Sequence, residues 1–197
     1  MTDLFGPIVS GLDVEVAVTS TLKLWLPTYL AEMERLTSRP AQSIPTPRSW
    51  STVPVFYQFQ QDQLPAAVVV SPGTAGEPER FGDGSYSAWW DVSVAVVVAG
   101  QTRQNANELA KLYAATIRWI AAQQESMGGF ASDTVWVGEA NDVAPSDYVE
   151  VGWATETQLQ VRVDDVVSGS GGPATPDLDP DPYPTVQTTQ IVVERTT

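Results

Sequence analysis

The longest regular pattern of hydrophobic and polar residues runs from Ser85 to Ala99. Alternation with a period of two over this length predicts a long β-strand with one buried face. From Ala95 to Ala99 the residues on both sides are apolar, so we expect that end of the strand to be covered on both faces. We expect the segment to be the central strand of a sheet. Its predicted buried side carries Tyr86, Ala88, Trp90, Val92, Val94, Val96 and Val98.

A first helix is predicted from apolar residues that recur at spacings of three and four between Val14 and Leu36. Asp13 is placed to cap its start. Pro27 lies inside the pattern, and we expect it either to kink the helix or to split it at Leu26.

A second helix is predicted after Thr102, a residue type that is favoured at the N-cap. Gly128 and Gly129 are expected to end this helix, because glycine readily adopts the left-handed conformation of a helix C-terminus. The predicted buried face carries Ala106, Leu109, Ala110, Tyr113, Ile117 and Ile120.

Four further strands are predicted from alternating or continuous apolar runs. The chain between the first helix and these strands, residues 40–54, is rich in proline, serine and threonine and predicts a loop or an extended excursion. Residues 73–84 predict a flexible loop, and Pro72 is expected to end the strand before it. The strands are Val55–Gln60, Leu64–Ser71, Thr134–Val143 and Tyr148–Asp164.

The order of elements is α, β, β, β, α, β, β, which predicts an α+β domain. We expect a mostly antiparallel sheet with two helices on one face, formed by residues 1–166. Residues 167–184 are rich in glycine, proline and aspartate and predict an acidic linker. Residues 185–197 regain strand character and predict an extended C-terminal arm.

The arm is too poor in apolar residues to fold alone. Ile191, Val192 and Val193 therefore need a surface on which to be buried. We expect the arm to reach its own sheet edge or, as the favoured alternative, a neighbouring copy of the chain.

Composition excludes several classes of function. The chain has 10 basic and 24 acidic residues and a formal charge of −14, a surface that repels nucleic acid phosphates. It contains no cysteine and no histidine, so the usual ligands of zinc, iron–sulfur and haem sites and the Ser-His-Asp and Cys-His catalytic groups are missing. No apolar run approaches the ~20 residues that span a membrane, so we expect no membrane partner.

Carboxylates are the remaining candidates for chemistry. Asp177, Asp179 and Asp181 resemble the start of a calcium loop, but Pro182 and Thr188 stand where such a loop needs glycine and glutamate. Two other groups, Asp164 with Asp165, and Glu77 with Glu79 and Asp83, lack a pocket that would shift their pKa values. We therefore predict a solvated acidic surface, with no catalytic residue, no cofactor and no metal.

Trp89 and Trp90 are adjacent on the long strand, so they point to opposite faces of the sheet. Trp90 belongs with the valines of the buried face, and Trp89 points to the other side. Either Trp50 or another loop of the same chain covers Trp89, or Trp89 belongs to a subunit interface, because exposed large aromatic residues mark contacts.

The order of these segments resembles the tail-terminator, or head–tail joining, proteins of long-tailed bacteriophages, especially those of actinobacterial hosts. The resemblance covers about Leu12 to Val166, and the residues from Ser168 onward lie outside the common pattern. The segments that carry it read YLAEMERL, FGDGSYSAWWDVSVAVVVAG, TRQNANELAKLYAATIRWIA, VWVGEANDV and EVGWATETQLQVRV.

The resemblance implies a structural virion protein that forms a hexameric ring. The ring caps the tail tube, presents a face to the head-completion or stopper protein, and lets DNA pass through its lumen without specific binding. We expect Trp89, Ile191, Val192 and Val193 at the subunit interface. The candidate contacts with the tube or the connector lie in two polar loops and are Glu77, Glu79, Arg80, Phe81, Asp142 and Asp147.

Two other functions stay open. One is another component of the neck, such as a head-completion or stopper protein. The other is a metal-dependent hydrolase that uses aspartate and glutamate alone; it needs several carboxylates to converge in a pocket, around residues such as Asp164 or Glu79.

Overall fold

The computed structural model describes residues 8–53, 59–143 and 152–167, which form two α-helices and a mixed sheet of six strands. The fold is α+β, as predicted. Two short 3-10 turns, Gln61–Gln63 and Met127–Gly129, connect the larger elements. In chain order the elements are α1 (Gly11–Leu36), β1 (Ser49–Ser51), β2 (Ala66–Thr74), β3 (Glu79–Arg80), β4 (Tyr86–Ala99), α2 (Arg103–Gln123), β5 (Asp133–Val143) and β6 (Gly152–Val167).

The sheet has the strand order β1-β2-β4-β6-β5, and β3 pairs with β4 beyond the end of β2. Strands β1 and β2 are parallel, and the other pairs are antiparallel. The predicted central strand, β4, lies in the middle of this order. The described part of β5 is the last strand on its side.

One face of the sheet is covered by both helices. Val94, Val96 and Val98 of β4 have no exposed surface, and Tyr113 and Ile117 of α2 pack on the same face. The apolar residues of β6 on this face are Leu159, Val161 and Val163. All six residues of the predicted buried face of α2 are buried, which confirms the helix periodicity.

The opposite face is covered only at one end within the described residues. There Leu64, Ala66 and Val97 form a small second apolar cluster with Phe59 beside it. Ala95 and Val97 are each 3% exposed, so the prediction that this end of β4 is buried on both faces is confirmed. Towards the start of β4 the opposite face carries polar side chains.

The start of α1 differs from the prediction, because Ser10 and not Asp13 is the N-cap. The Asp13 carboxylate accepts from the Ser10 amide at 2.8 Å and completes a capping box. Pro27 does not split the helix. It lies on the exposed side of the helix, as does Lys23, whose carbonyl loses its amide partner because proline has no N–H.

At α2 the predicted cap is confirmed, because the Thr102 hydroxyl accepts from the Asn105 amide at 3.1 Å. The predicted end of this helix is wrong: α2 ends at Gln123, five positions before Gly128. Gly128 and Gly129 instead adopt φ angles of 74° and 90° in the turn that follows Met127, which is 2% exposed in the core.

Pro72 does not end β2, which continues to Thr74 through a bulge between Val70 and Gly73. The Ser71 amide, which the bulge removes from the β-ladder, donates to the Glu15 carboxylate of α1 at 2.8 Å. Proline has no amide hydrogen and therefore fits a bulge. Glu15 thus fastens α1 to the irregular part of β2.

Three other predicted segments differ in extent. The loop predicted for residues 73–84 contains β3, and the segment 40–54 contains β1, whose pairing to β2 spans only three residues. Strand β6 runs to Val167, one residue beyond the predicted domain boundary. Most of the strand predicted for Val55–Gln60, the start of that predicted for Tyr148–Asp164, and the linker and arm lie outside the described residues.

Candidate functional site

Trp89 lies on the sheet face opposite the helices, as predicted, and Arg162 of β6 covers it. The Arg162 guanidinium carbon is 6.0 Å from the centre of the Trp89 ring. The same guanidinium is 2.9 Å from the Glu79 carboxylate and 3.3 Å from the Asp164 carboxylate. We call Trp89, Arg162, Glu79 and Asp164 the Arg162 cluster.

The alternative in which Trp50 covers Trp89 is wrong. Trp50 of β1 packs against the core under the helices, with the Lys23 ammonium 5.5 Å from its ring centre. Trp50 pairs with Ala67, which belongs to the covered face. An interface role for Trp89 stays a prediction.

Asp164 is held by more than the arginine. The Ser87 hydroxyl donates to its carboxylate at 2.7 Å, and this hydrogen bond, with a further contribution from Arg162, keeps the pKa of Asp164 below its ordinary value. Ser87 is 2% exposed, so the donor of this hydrogen bond is buried. The cluster is therefore two ion pairs that share one guanidinium, and it keeps a net formal charge of −1.

The structure brings together one carboxylate from each of the two predicted acidic groups, Glu79 and Asp164, but a guanidinium lies between them. Asp83 is engaged elsewhere: it accepts from the Ser85 amide at 2.9 Å and from its hydroxyl at 2.7 Å, which lowers the pKa of Asp83. Within residues 8–53, 59–143 and 152–167, no group of three or more acidic side chains is arranged to hold a metal ion.

A polar row continues along the same face between β4 and β6. The Gln160 amide donates to Asp91 at 3.1 Å, and the Ser93 hydroxyl donates to Glu156 at 2.7 Å. A shallow pocket of about 270 Å³ lies on this row. Its lining includes both carboxylates, and Val137 of β5 adds an apolar wall.

The β5 edge carries three consecutive exposed apolar residues, and we call Val135, Trp136 and Val137 the β5 patch. They are 43%, 42% and 52% exposed. The Arg118 guanidinium of α2 lies 5.1 Å from the Trp136 ring centre, and Arg118 also pairs with Glu139 at 2.8 Å. The patch was not predicted, although three adjacent apolar residues in the predicted strand Thr134–Val143 were a visible signal.

A second apolar surface runs along α1. Leu12, Val16 and Leu24 are 60%, 54% and 69% exposed, at positions that share one side of the helix. Together with the partly buried Trp25 and Phe130 they line a groove, which we call the α1 groove. The prediction for this helix followed the apolar residues that recur at spacings of three and four from Val14, and it did not consider this outer row.

The remaining predicted contact residues are placed as follows. Phe81 is 44% exposed at the turn after β3, and the Arg80 guanidinium lies 5.9 Å from the Tyr86 ring centre. Glu77 is exposed before β3, and Asp142 is exposed near the end of β5. The other four, Asp147, Ile191, Val192 and Val193, lie outside the described residues.

No family model matches the chain, and no curated protein matches it. Neither helix in the described part of the chain is long and apolar enough to cross a membrane.

Proposed function

We propose that this protein is a structural subunit that assembles head-to-tail into a ring, caps a phage tail tube and joins it to the head connector. The observation that carries the proposal is the presence of two separate apolar surfaces, the α1 groove and the β5 patch. The proposed position in the virion rests on the resemblance in segment order, and the proposed assembly rests on the two apolar surfaces.

A closed ring built head-to-tail needs two different surfaces on every subunit, one for each neighbour. A single self-complementary patch gives only a dimer. The α1 groove lies on a helix, and the β5 patch lies on a strand edge, so the two surfaces differ in shape. Large exposed apolar residues that are grouped in this way mark protein contacts.

The charge of the chain suits a ring through which DNA moves. A formal charge of −14 repels phosphate groups, so DNA in the lumen would pass without being held by ion pairs. The proposed partners are further copies of the chain, the tail tube protein and a head-completion or stopper protein.

The first test measures the mass of the purified full chain in solution, alone and with its tail tube protein, and images the particles by negative-stain electron microscopy. We expect a ring, and we expect tubes to stop growing once the ring binds one end. A chain that stays monomeric alone and with tubes contradicts the proposal. Binding at the head side of the joint alone would instead assign it to another neck component.

The second test breaks each surface with a matched control. Leu24→Lys places a charge in the α1 groove. Leu36→Lys places the same charge on another exposed leucine of the same helix; the two leucines are 69% and 56% exposed. Val137→Lys on the β5 patch is matched by Val53→Lys, a valine that is 56% exposed beyond β1. We expect the first member of each pair to weaken assembly at least about tenfold, since a charge in an apolar contact costs more than 1.4 kcal/mol. Equal effects within both pairs would contradict the assignment of these surfaces.

A further inference from the structure

We propose that the C-terminal segment of a neighbouring copy, residues Thr185–Thr197, pairs with the outer edge of β5 as an additional strand. The inference rests on the proposed ring and names the partner of one of its two surfaces. The described residues supply the acceptor edge, and the sequence supplies the strand that fits it.

The acceptor is an edge strand. Strand β5 is paired with β6 on one side, and no strand of the described residues pairs with its other side. The outward N–H and C=O groups of such an edge are a template for another strand. Val135 and Trp136 pair with Gln160 and Leu159, which lie on opposite faces of the sheet, so apolar side chains flank the edge above and below.

The donor segment has the composition of a strand. Nine of its 13 residues are threonine, valine or isoleucine, the β-branched types that favour extended chains. In an extended chain Ile191 and Val193 lie on one face and Val192 on the other. This pattern matches the β5 patch, where Val135 and Val137 lie towards the polar face and Trp136 towards the helices.

The α1 groove fits this segment less well. The backbone groups of a helix interior are already paired within the helix, so a helix offers side-chain contacts alone to an extended chain. A β-branched segment that pairs with a strand edge gains backbone hydrogen bonds as well. The β5 edge is therefore the better acceptor.

The linker favours a neighbouring copy over the same chain. The described chain ends at Val167, and residues 173–184 then contain five prolines and three aspartates. Sequences rich in proline and charge favour extended conformations, in which 12 residues can span up to about 37 Å at ~3.1 Å each. The position outside a chain's own β5 is only two strand spacings from β6, about 10 Å.

The absence of native cysteine allows a direct test by disulfide formation in the full chain. Val137→Cys is combined in turn with Ile191→Cys, Val192→Cys or Val193→Cys, because residues that face each other across two strands are close enough for a disulfide. Matched controls carry Val53→Cys or Leu24→Cys with the same C-terminal substitutions. Mass measurement of each reduced variant checks that assembly is retained.

We expect at least one β5 pair to oxidise about tenfold faster than every control pair, because docking raises the local concentration of the two thiols. Non-reducing electrophoresis should then show a ladder of covalent multimers that ends at the number of subunits in the ring. Three results in an assembled ring would overturn the strand pairing but not the ring: β5 pairs that form disulfides only within one chain, Leu24 pairs that react faster than the β5 pairs, or pairs that all react equally. A monomeric chain overturns both proposals.

Discussion

The two faces of the sheet are built from the same strands but in different ways. On the face under the helices, Val94 and Val96 of β4 and Ile117 of α2 have no exposed surface. On the opposite face, the same strand carries Asp91 and Ser93, which are hydrogen-bonded to side chains of β6. One face is held by apolar packing and the other mainly by pairs of polar groups.

The difference in energy between these faces is large. Burial of a valine or isoleucine side chain contributes about 1.5–3 kcal/mol. A partly exposed ion pair such as that between Arg162 and Glu79 contributes about 0–1 kcal/mol. The covered face therefore supplies most of the free energy of folding.

The largest expected effect comes from breaking the covered face. Leu22 of α1 is 1% exposed in the core, and Leu22→Ala should lower the free energy of unfolding by about 2–5 kcal/mol because it removes packed methyl groups and leaves a cavity. Leu24→Ala, two positions along the same helix and 69% exposed, should change it by less than about 0.5 kcal/mol. Urea denaturation followed by circular dichroism measures both values. Similar losses for the two variants would show that α1 is not anchored on one side.

The covered face was the part of the molecule that sequence patterns predicted best. The alternation around Val94 and the helical spacing of Tyr113 and Ile117 are local signals, and burial preserves them because a polar residue inside the core is costly. The prediction that Trp89 and Trp90 point to opposite faces followed from the same period of two.

The polar face and the sheet edges could not be predicted in the same way, because they depend on strand order and register. Glu79 meets Arg162 only because β3 and β6 flank the start of β4. The three adjacent apolar residues of the β5 patch were visible in the sequence, but the place of β5 as the last strand of the described sheet was not. The bulge at Pro72 could not be predicted locally, because the Ser71 amide there donates its hydrogen bond to Glu15 of α1, a different element.

A smaller effect is expected from the Arg162 cluster. Arg162→Ala removes two ion pairs and the contact with the Trp89 ring, and should lower the free energy of unfolding by about 1 kcal/mol. The loss should shrink in 1 M salt, where the screening length falls to about 3 Å. Arg162→Lys, which keeps the charge but not the planar guanidinium, should have an intermediate effect. A loss that does not depend on salt would assign the role of Arg162 to packing of its aliphatic chain.

The smallest expected effect is a pH dependence at Asp164. The hydrogen bond from Ser87 and the charge of Arg162 hold the pKa of this carboxyl below its ordinary value of 3.8 in the folded chain. A carboxyl whose pKa is lower in the folded than in the unfolded state stabilises the fold above the unfolded value, and this contribution is lost as the pH falls through the folded value.

Asp164→Asn can still accept the hydrogen bond from Ser87 but carries no charge at any pH, so it isolates the charged part of the interaction. The native chain should be more stable than Asp164→Asn at neutral pH by a few tenths of a kcal/mol, because the carboxylate is half exposed and solvent screens its charge. The two should become equally stable once the pH is well below 3.8, where the native carboxyl is also neutral. Ser87→Ala should raise the pKa of Asp164, measured by NMR titration of its carboxyl carbon. If the difference in free energy of unfolding between the native chain and Asp164→Asn stays constant down to the lowest pH, the charge of Asp164 does not stabilise the cluster. The polar face would then be stabilised by packing, as the covered face is.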